Sequence, residues 1–276
     1  MKYTYLTRAE WGARTDLPRL GEAIDPNQAT HAFIHHVVAI DHGDDSPNVW
    51  ETDAECFGRM RGLQTARPDL GNDVPYSFVA FLREDHVLIC EGRGAYRRGA
   101  HTQWHNVDGR AVSLYGNFQD YATFGLEKWL PAIGWFLHDL KMGNAIATTG
   151  GPALPNLGSV HPAGRDVFGH REATDPQGNN VSGGTSCPGR ELFDRLQHIK
   201  IAPSTAPVEE EDDVKIIRPT NRPEQYALVG GKLIHVTSEY VLQKMGNPSH
   251  EVIDGADEIW GQPVEYPDGL PAVMRG

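Results

Sequence analysis

Three segments far apart in this chain carry side chains that could share one metal ion. His35 and His36 are adjacent within the apolar run Phe33-Ile34-His35-His36-Val37-Val38. His170 stands in Gly169-His170-Arg171-Glu172, and Cys187 in Thr185-Ser186-Cys187-Pro188-Gly189. Imidazole nitrogen and thiolate sulfur are good donors for Zn2+, and three protein ligands leave a fourth position for water, the arrangement of a catalytic rather than a structural zinc. Neighbouring residues on a strand face opposite sides, so only one of His35 and His36 can join the other donors; alternation alone does not choose between them. A single histidine in an apolar strand is an ordinary hydrogen-bonded core residue, so the metal reading rests on the three segments taken together. Cys187 precedes an expected helix, whose unpaired N–H groups would favour a thiolate.

Elements able to position these residues follow from hydrophobic periodicity. Residues 32–38 form a short apolar run rich in β-branched side chains, read as a buried strand. A weaker helical pattern covers 48–66. Strands are expected at 76–82 and 86–90, joined by a turn at 83–85, and again at 112–114 and 145–148. The clearest helix is 126–140, where Leu126, Trp129, Leu130, Ile133, Leu137 and Leu140 share one face. A last helix is expected over 188–199, with Pro188 in its first turn. The fold class is α/β, a mixed central β-sheet flanked by helices. Residues 203–213, Pro-rich and then acidic, read as an extended linker between a domain at 1–202 and a small α+β module at 214–276. In that module strands at 226–229 and 232–236 flank Gly230-Gly231, which tolerates a tight hairpin turn, and a short helix is expected at 238–245.

Composition narrows the partners. The chain of 276 residues has a formal net charge of −12, and residues 201–276 hold 13 Asp/Glu against 6 Lys/Arg, so −7 of it lies there. This balance opposes sequence-independent nucleic-acid binding, which needs a basic face. No apolar run reaches the ~18–20 residues of a membrane span, so no membrane insertion is expected. Residues 1–7 lack the apolar core of a signal peptide. The three cysteines form no disulfide framework; Cys56 and Cys90 read as core residues, and Cys187 is left to act as a ligand.

An ordered set of motifs resembles the zinc-dependent N-acetylmuramoyl-L-alanine amidases, the group that includes phage lysozyme-type amidases and peptidoglycan recognition proteins. The set comprises Thr7-Arg8-Ala9-Glu10-Trp11-Gly12-Ala13, Phe33-Ile34-His35-His36, Val74-Pro75-Tyr76-Ser77-Phe78, Glu91-Gly92-Arg93-Gly94, Gly99-Ala100-His101-Thr102 with Asn106, Gly116-Asn117-Phe118 and the two segments around His170 and Cys187. The resemblance implies zinc as cofactor, held by His35, His170 and Cys187, with the lactyl amide of peptidoglycan as substrate. It implies Tyr76 near the reacting carbonyl, and places Thr185 where some phage members carry a catalytic lysine. His101 and Asn106 match positions lining the substrate cleft, and His36 would point away or line that cleft. His161, in Val160-His161-Pro162, lacks the Gly-His-Arg context of the ligand. Glu91 and Glu172 are candidate carboxylates behind the ligands, and Trp104 and Tyr96 have the ring faces to stack on sugars. Residues 173–184 read as an inserted loop. The implied role is that of a phage endolysin, held in the host cytoplasm until release and then acting on the bacterial cell wall, with the C-terminal module as wall anchor. A non-catalytic peptidoglycan-binding protein is the alternative.

Overall fold

The computed structural model describes residues 2–38, 48–158, 161–204 and the segments 215–218, 225–229, 232–236 and 252–254. Contacts divide the chain into two units, 1–204 and 205–276.

The first unit is built on a six-stranded sheet. Its strands are β1 (Lys2–Leu6), β2 (His31–Val37), β3 (Phe78–Leu82), β4 (His86–Glu91), β5 (Gly109–Tyr115) and β6 (Phe168–Gly169), in the order β1-β4-β3-β5-β2-β6. Only β3 and β4 run antiparallel; the remaining pairs are parallel, so the sheet is mixed as expected. Every residue of β3 and β5 is buried, the signature of interior strands covered on both faces.

The two faces make separate cores. Ile34, Phe78, Ala80, Val112 and Leu114 pack with α2 (Leu130–Met142), whose Ile133, Phe136, Leu137 and Leu140 are fully buried. Val79, Phe81, Leu88, Cys90 and Tyr115 pack with α1 (Asp53–Leu63) through Cys56, Met60 and Leu63, and with Trp11 and Trp50. The spacing of those three α1 residues keeps them on one stripe. The Thr52 hydroxyl caps α1 by accepting the Glu55 N–H at 3.2 Å. Cys56 and Cys90 are therefore core residues, as read from sequence.

Several expectations are corrected. The 126–140 stripe is divided into a 3-10 turn, Leu126–Lys128, followed by α2, because Pro131 in the first turn of α2 has no N–H to continue a helix through it. Residues 145–148 form a short helix, α3 (Ala145–Thr148), not a strand. The Asn144 side chain accepts the Ile146 N–H at 3.0 Å and starts a helical turn, and no strand of the described sheet lies beside it. The expected 188–199 helix is reduced to α4 (Arg190–Phe193) and a 3-10 turn, Leu196–His198. Between them Arg195 leaves the helical region (φ −118, ψ 6), and its side chain pairs with Glu127 and the Glu191 carbonyl. Strands β1 and β6 carry too little pattern to be anticipated. β6 is two residues long, and only its pairing with β2 defines it.

In the second unit, β7 (Lys215–Arg218), β8 (Gln225–Val229), β9 (Lys232–Val236) and β10 (Val252–Asp254) form a sheet in the order β10-β7-β8-β9. The β8–β9 register, Val229 opposite Lys232, matches the expected strands at 226–229 and 232–236. The Gly230-Gly231 turn, linker residues 205–213 and the helix expected at 238–245 lie outside the described residues.

Candidate metal centre

Packing on the two faces of the sheet settles which histidine of the pair faces the other donors. Ile34 faces the α2 core, and His36, two residues on, shares that side. His35 faces the other way, beside Phe33 and opposite Ser113 of β5. One ligand atom from each of His35, His170 and Cys187 lies within 4.8 Å of the other two. Nδ1 of His35 stands 3.6 Å from Cys187 Sγ, and the rings of His35 and His170 are 4.6 Å apart between centroids.

Each candidate ligand is held by local structure. Gly169 ends β6 alongside Ile34, and a 3-10 turn over His170–Glu172 follows. The Glu172 carboxylate accepts the Gly169 N–H at 2.8 Å and also binds Arg165 and His161, so it anchors the turn that presents His170. His161 is thereby occupied away from the metal centre. The Arg171 N–H donates to the Cys187 carbonyl at 3.0 Å and ties the two ligand segments together. Gly189 (φ +89) turns the chain so closely against Phe118 that a Cβ there would lie 2.5 Å from backbone carbon. Cys187 consequently sits in a tight turn ahead of α4, which begins only at Arg190; the donor to its sulfur is the His36 N–H at 3.4 Å, not a helix N-terminus.

Behind His35 runs a chain of polar contacts. With Nδ1 turned to the centre, Nε2–H of His35 donates to Thr102 Oγ1 at 3.2 Å, and the Thr102 hydroxyl donates to His101 Nδ1 at 2.9 Å. A partner on the far nitrogen fixes the tautomer and ring plane of a metal-binding histidine. Thr102 sits within the motif Gly99-Ala100-His101-Thr102 but sequence reasoning passed over it. Thr102→Val is expected to weaken metal affinity or turnover about 10–100-fold, with Thr102→Ser restoring it, as measured by metal titration and kcat.

The remaining predicted residues are placed as follows. The Tyr76 ring lies 5.2 Å from that of His35, on the segment entering β3. Its carbonyl accepts the Arg93 N–H at 2.9 Å, and Gly92 permits the close approach, since a Cβ there would lie 2.4 Å from the same oxygen. Burial and then the neighbouring Cys187 push the phenol up to about 12, so Tyr76 keeps its proton at neutral pH. Thr185 Oγ1 accepts the Cys187 N–H at 3.1 Å, which steadies the ligand turn. Asn106 Oδ1 accepts the N–H groups of His101 and Thr102 at 2.8 and 3.1 Å, so both predicted cleft residues brace the loop behind His35. His36 is 5 % exposed on the opposite face. Glu91 is engaged with other groups: it binds Arg8 and Arg19, and its carbonyl accepts the Trp11 indole N–H at 2.9 Å. Tyr96 donates its hydroxyl to the Pro152 carbonyl, whereas Trp104 is 61 % exposed at φ +70 beside a cavity of about 390 Å3 that Arg98, Gln103, Asn106 and Val107 also line. The 173–184 loop is a compact turn in which the Asp175 carboxylate accepts N–H groups of Gln177 and Asn179, and Asn180 reaches back to the Arg171 carbonyl.

The donor chemistry suits zinc. Burial, and then the neighbouring imidazoles, hold His35 well below the usual histidine range, and burial lowers His170, so both are neutral bases at pH 7. Cys187 is the one donor able to carry negative charge. Burial pushes its thiol up to about 12, against the opposing pull of the His36 N–H and Arg171. A dication is the counter-charge that ionises such a thiol on coordination.

The chain is similar to peptidoglycan-recognition proteins. Peptidoglycan-recognition protein SA of Drosophila melanogaster is 26% identical over 122 residues, which cover 42% of this chain and 52% of that relative, so the match spans about half the relative's length. No family model matches. Among solved structures, wild-type Drosophila PGRP-LB is 26% identical, with 73% of this chain and 100% of that chain covered and a TM-score of 0.46. Bumblebee PGRP-SA is 23% identical, with 70% and 93% covered and a TM-score of 0.49. A Drosophila PGRP-LB variant in complex with tracheal cytotoxin is 26% identical, with 70% and 92% covered and a TM-score of 0.46.

Proposed function

We propose that this chain is a zinc-dependent amidase that hydrolyses the bond between N-acetylmuramic acid and L-alanine in peptidoglycan. The observation that carries the reading is the convergence of His35, His170 and Cys187, two neutral imidazoles and one ionisable thiol, at one point. The similarity to a peptidoglycan-recognition protein supports the substrate class. Zinc held there would polarise the amide carbonyl and make an attacking water acidic enough to act near neutral pH. Tyr76, protonated at pH 7, donates a hydrogen bond to the oxygen that gains negative charge. The Thr185 oxygen accepts from Cys187 N–H, which leaves its O–H to donate toward the same oxygen but brings no positive charge. Thr102 and His101 keep the His35 ring aligned.

The activity is tested by incubating purified protein with muropeptides and assaying for newly freed L-Ala amino termini. New reducing ends or cuts within the peptide alone would refute it. Tyr76→Phe is expected to lower kcat about 10²-fold with metal content unchanged, the loss typical of removing one donor to a developing oxyanion. The second reading, peptidoglycan binding without cleavage, is favoured by the relative's being a recognition protein. Zinc-loaded protein that retains muropeptide and frees no L-Ala would establish it. The acidic linker and separate second unit motivate an endolysin arrangement in which residues 214–276 hold the enzyme on the wall. Sacculus co-sedimentation of the full chain against residues 1–204 tests it: equal retention removes the anchor role.

A further inference from the structure

A second group of side chains with metal-donor atoms gathers around His31, on the same face of β2 as His35. His31 and His35 are four residues apart on the strand, so their backbones are about 13 Å apart. The Phe33 ring stands between them, 6.0 Å from that of His31 and 6.5 Å from that of His35. His31, His105 and Asp108 each bring one ligand atom within 4.8 Å of the other two. Nδ1 of His105 is 3.1 and 3.2 Å from the two Asp108 oxygens, and Nδ1 of His31 is 3.4 Å from one of them. The Thr30 hydroxyl lies 2.8 Å from the same His31 nitrogen.

The other nitrogen of His105 bears on what this cluster can hold. Nε2–H donates to the Thr174 carbonyl at 2.8 Å. A neutral His105 therefore turns the Nδ1 lone pair toward a carboxylate, which is unfavourable unless positive charge lies between them. Without metal, one proton bridging His105 to Asp108 and the Nδ1–H tautomer of His31 would fill the cluster, and the Asp108 hydrogen bond raises His105 accordingly. A dication at the same point would replace both protons and take a lone pair from each imidazole and from the carboxylate. The Nε2–H to carbonyl contact is also the support that metal-bound histidines generally have.

We propose that His31, His105 and Asp108 form a second site, for a divalent transition-metal ion that accepts mixed nitrogen and oxygen ligands, such as Zn2+. The three side chains are 26 %, 14 % and 33 % exposed, so the site opens to solvent. Its consequence is local. Thr174 is the second residue of the 173–184 loop, four residues after His170, so metal at His105 fastens that loop to the strand that carries His35.

Metal stoichiometry tests this on the full chain, with Zn2+ and with Co2+ as a spectroscopic probe. Wild type is expected to bind two equivalents. Asp108→Asn and His105→Gln are each expected to bind one, with the thiolate-to-cobalt absorption of the Cys187 centre retained. Cys187→Ala is expected to bind one equivalent without that absorption, and the metal should protect residues 173–184 from protease. The proposal is overturned if Cys187→Ala binds no metal, or if wild type binds one equivalent that Asp108→Asn and His105→Gln leave unchanged. Because the cobalt–thiolate band reports only the first centre, its loss tests that centre separately.

Discussion

Replacing Cys187 by alanine is expected to remove the zinc of the His35–His170–Cys187 centre, one equivalent per chain, and to take amide cleavage to background. The thiolate is the only anionic donor in that set; the two imidazoles left behind are neutral, because burial holds both below their ordinary range. The same charges predict a pH dependence. At pH 7 the imidazoles have no proton to lose, while burial keeps one on the thiol, pushed up to about 12. Metal entry therefore displaces one proton, and apparent affinity should rise about tenfold per pH unit through neutrality. Cobalt titrations read at the thiolate absorption measure that slope. A pH-independent affinity would mean that the thiol is already ionised or is not a ligand.

Arg110→Leu is expected to destabilise the first unit by about 2–4 kcal/mol and to lower its Tm by roughly 10 °C. Arg110 is fully buried in β5, and its guanidinium donates to the carbonyls of Ala95 (3.1 Å), Arg97 (2.9 Å) and Val107. These carbonyls flank the loop that carries His101, Thr102 and Asn106. Leucine approximates the apolar stem but removes the donors from the buried Ala95 carbonyl, at about 1–3 kcal/mol, and from the part-buried carbonyls of Arg97 and Val107, at less each. Urea denaturation measures the loss. Arg110→Lys should recover part of it, because an ammonium keeps the charge but lacks the planar fork. Equal stability of the leucine variant would show that water satisfies the three carbonyls.

The chemistry of the candidate centre was largely legible in the chain, and its supports were not. His35, His170 and Cys187 stand out because histidine and cysteine in short Gly-rich or apolar contexts are chemically conspicuous. Thr102 and Arg110 do not, since a threonine or an arginine acquires its role only from what the fold sets beside it. Asn106 was anticipated as lining the substrate cleft and Thr185 as standing at a catalytic position. In the fold their oxygens accept backbone N–H groups and shape the turns that present His101, Thr102 and Cys187. Conspicuous motifs elsewhere likewise hold architecture: Trp11 and Glu91 join the N-terminal segment to β4.

From the sequence alone, periodicity determined the buried strands around β2, β3, β4 and β5, the apolar stripe of α2 and the donor types available for a metal. These follow from side-chain hydrophobicity and spacing, which are local properties. The tertiary structure alone decided that Ala145–Thr148 is a helical turn, that α4 is short and that a two-residue strand sets Gly169 against Ile34. Each depends on a cap, a turn or a partner strand brought from elsewhere in the chain. The tertiary structure also turned His35 toward Cys187 and His36 toward the other core. Strand alternation requires the two to separate, but only packing against α1 on one face and α2 on the other tells which side is which.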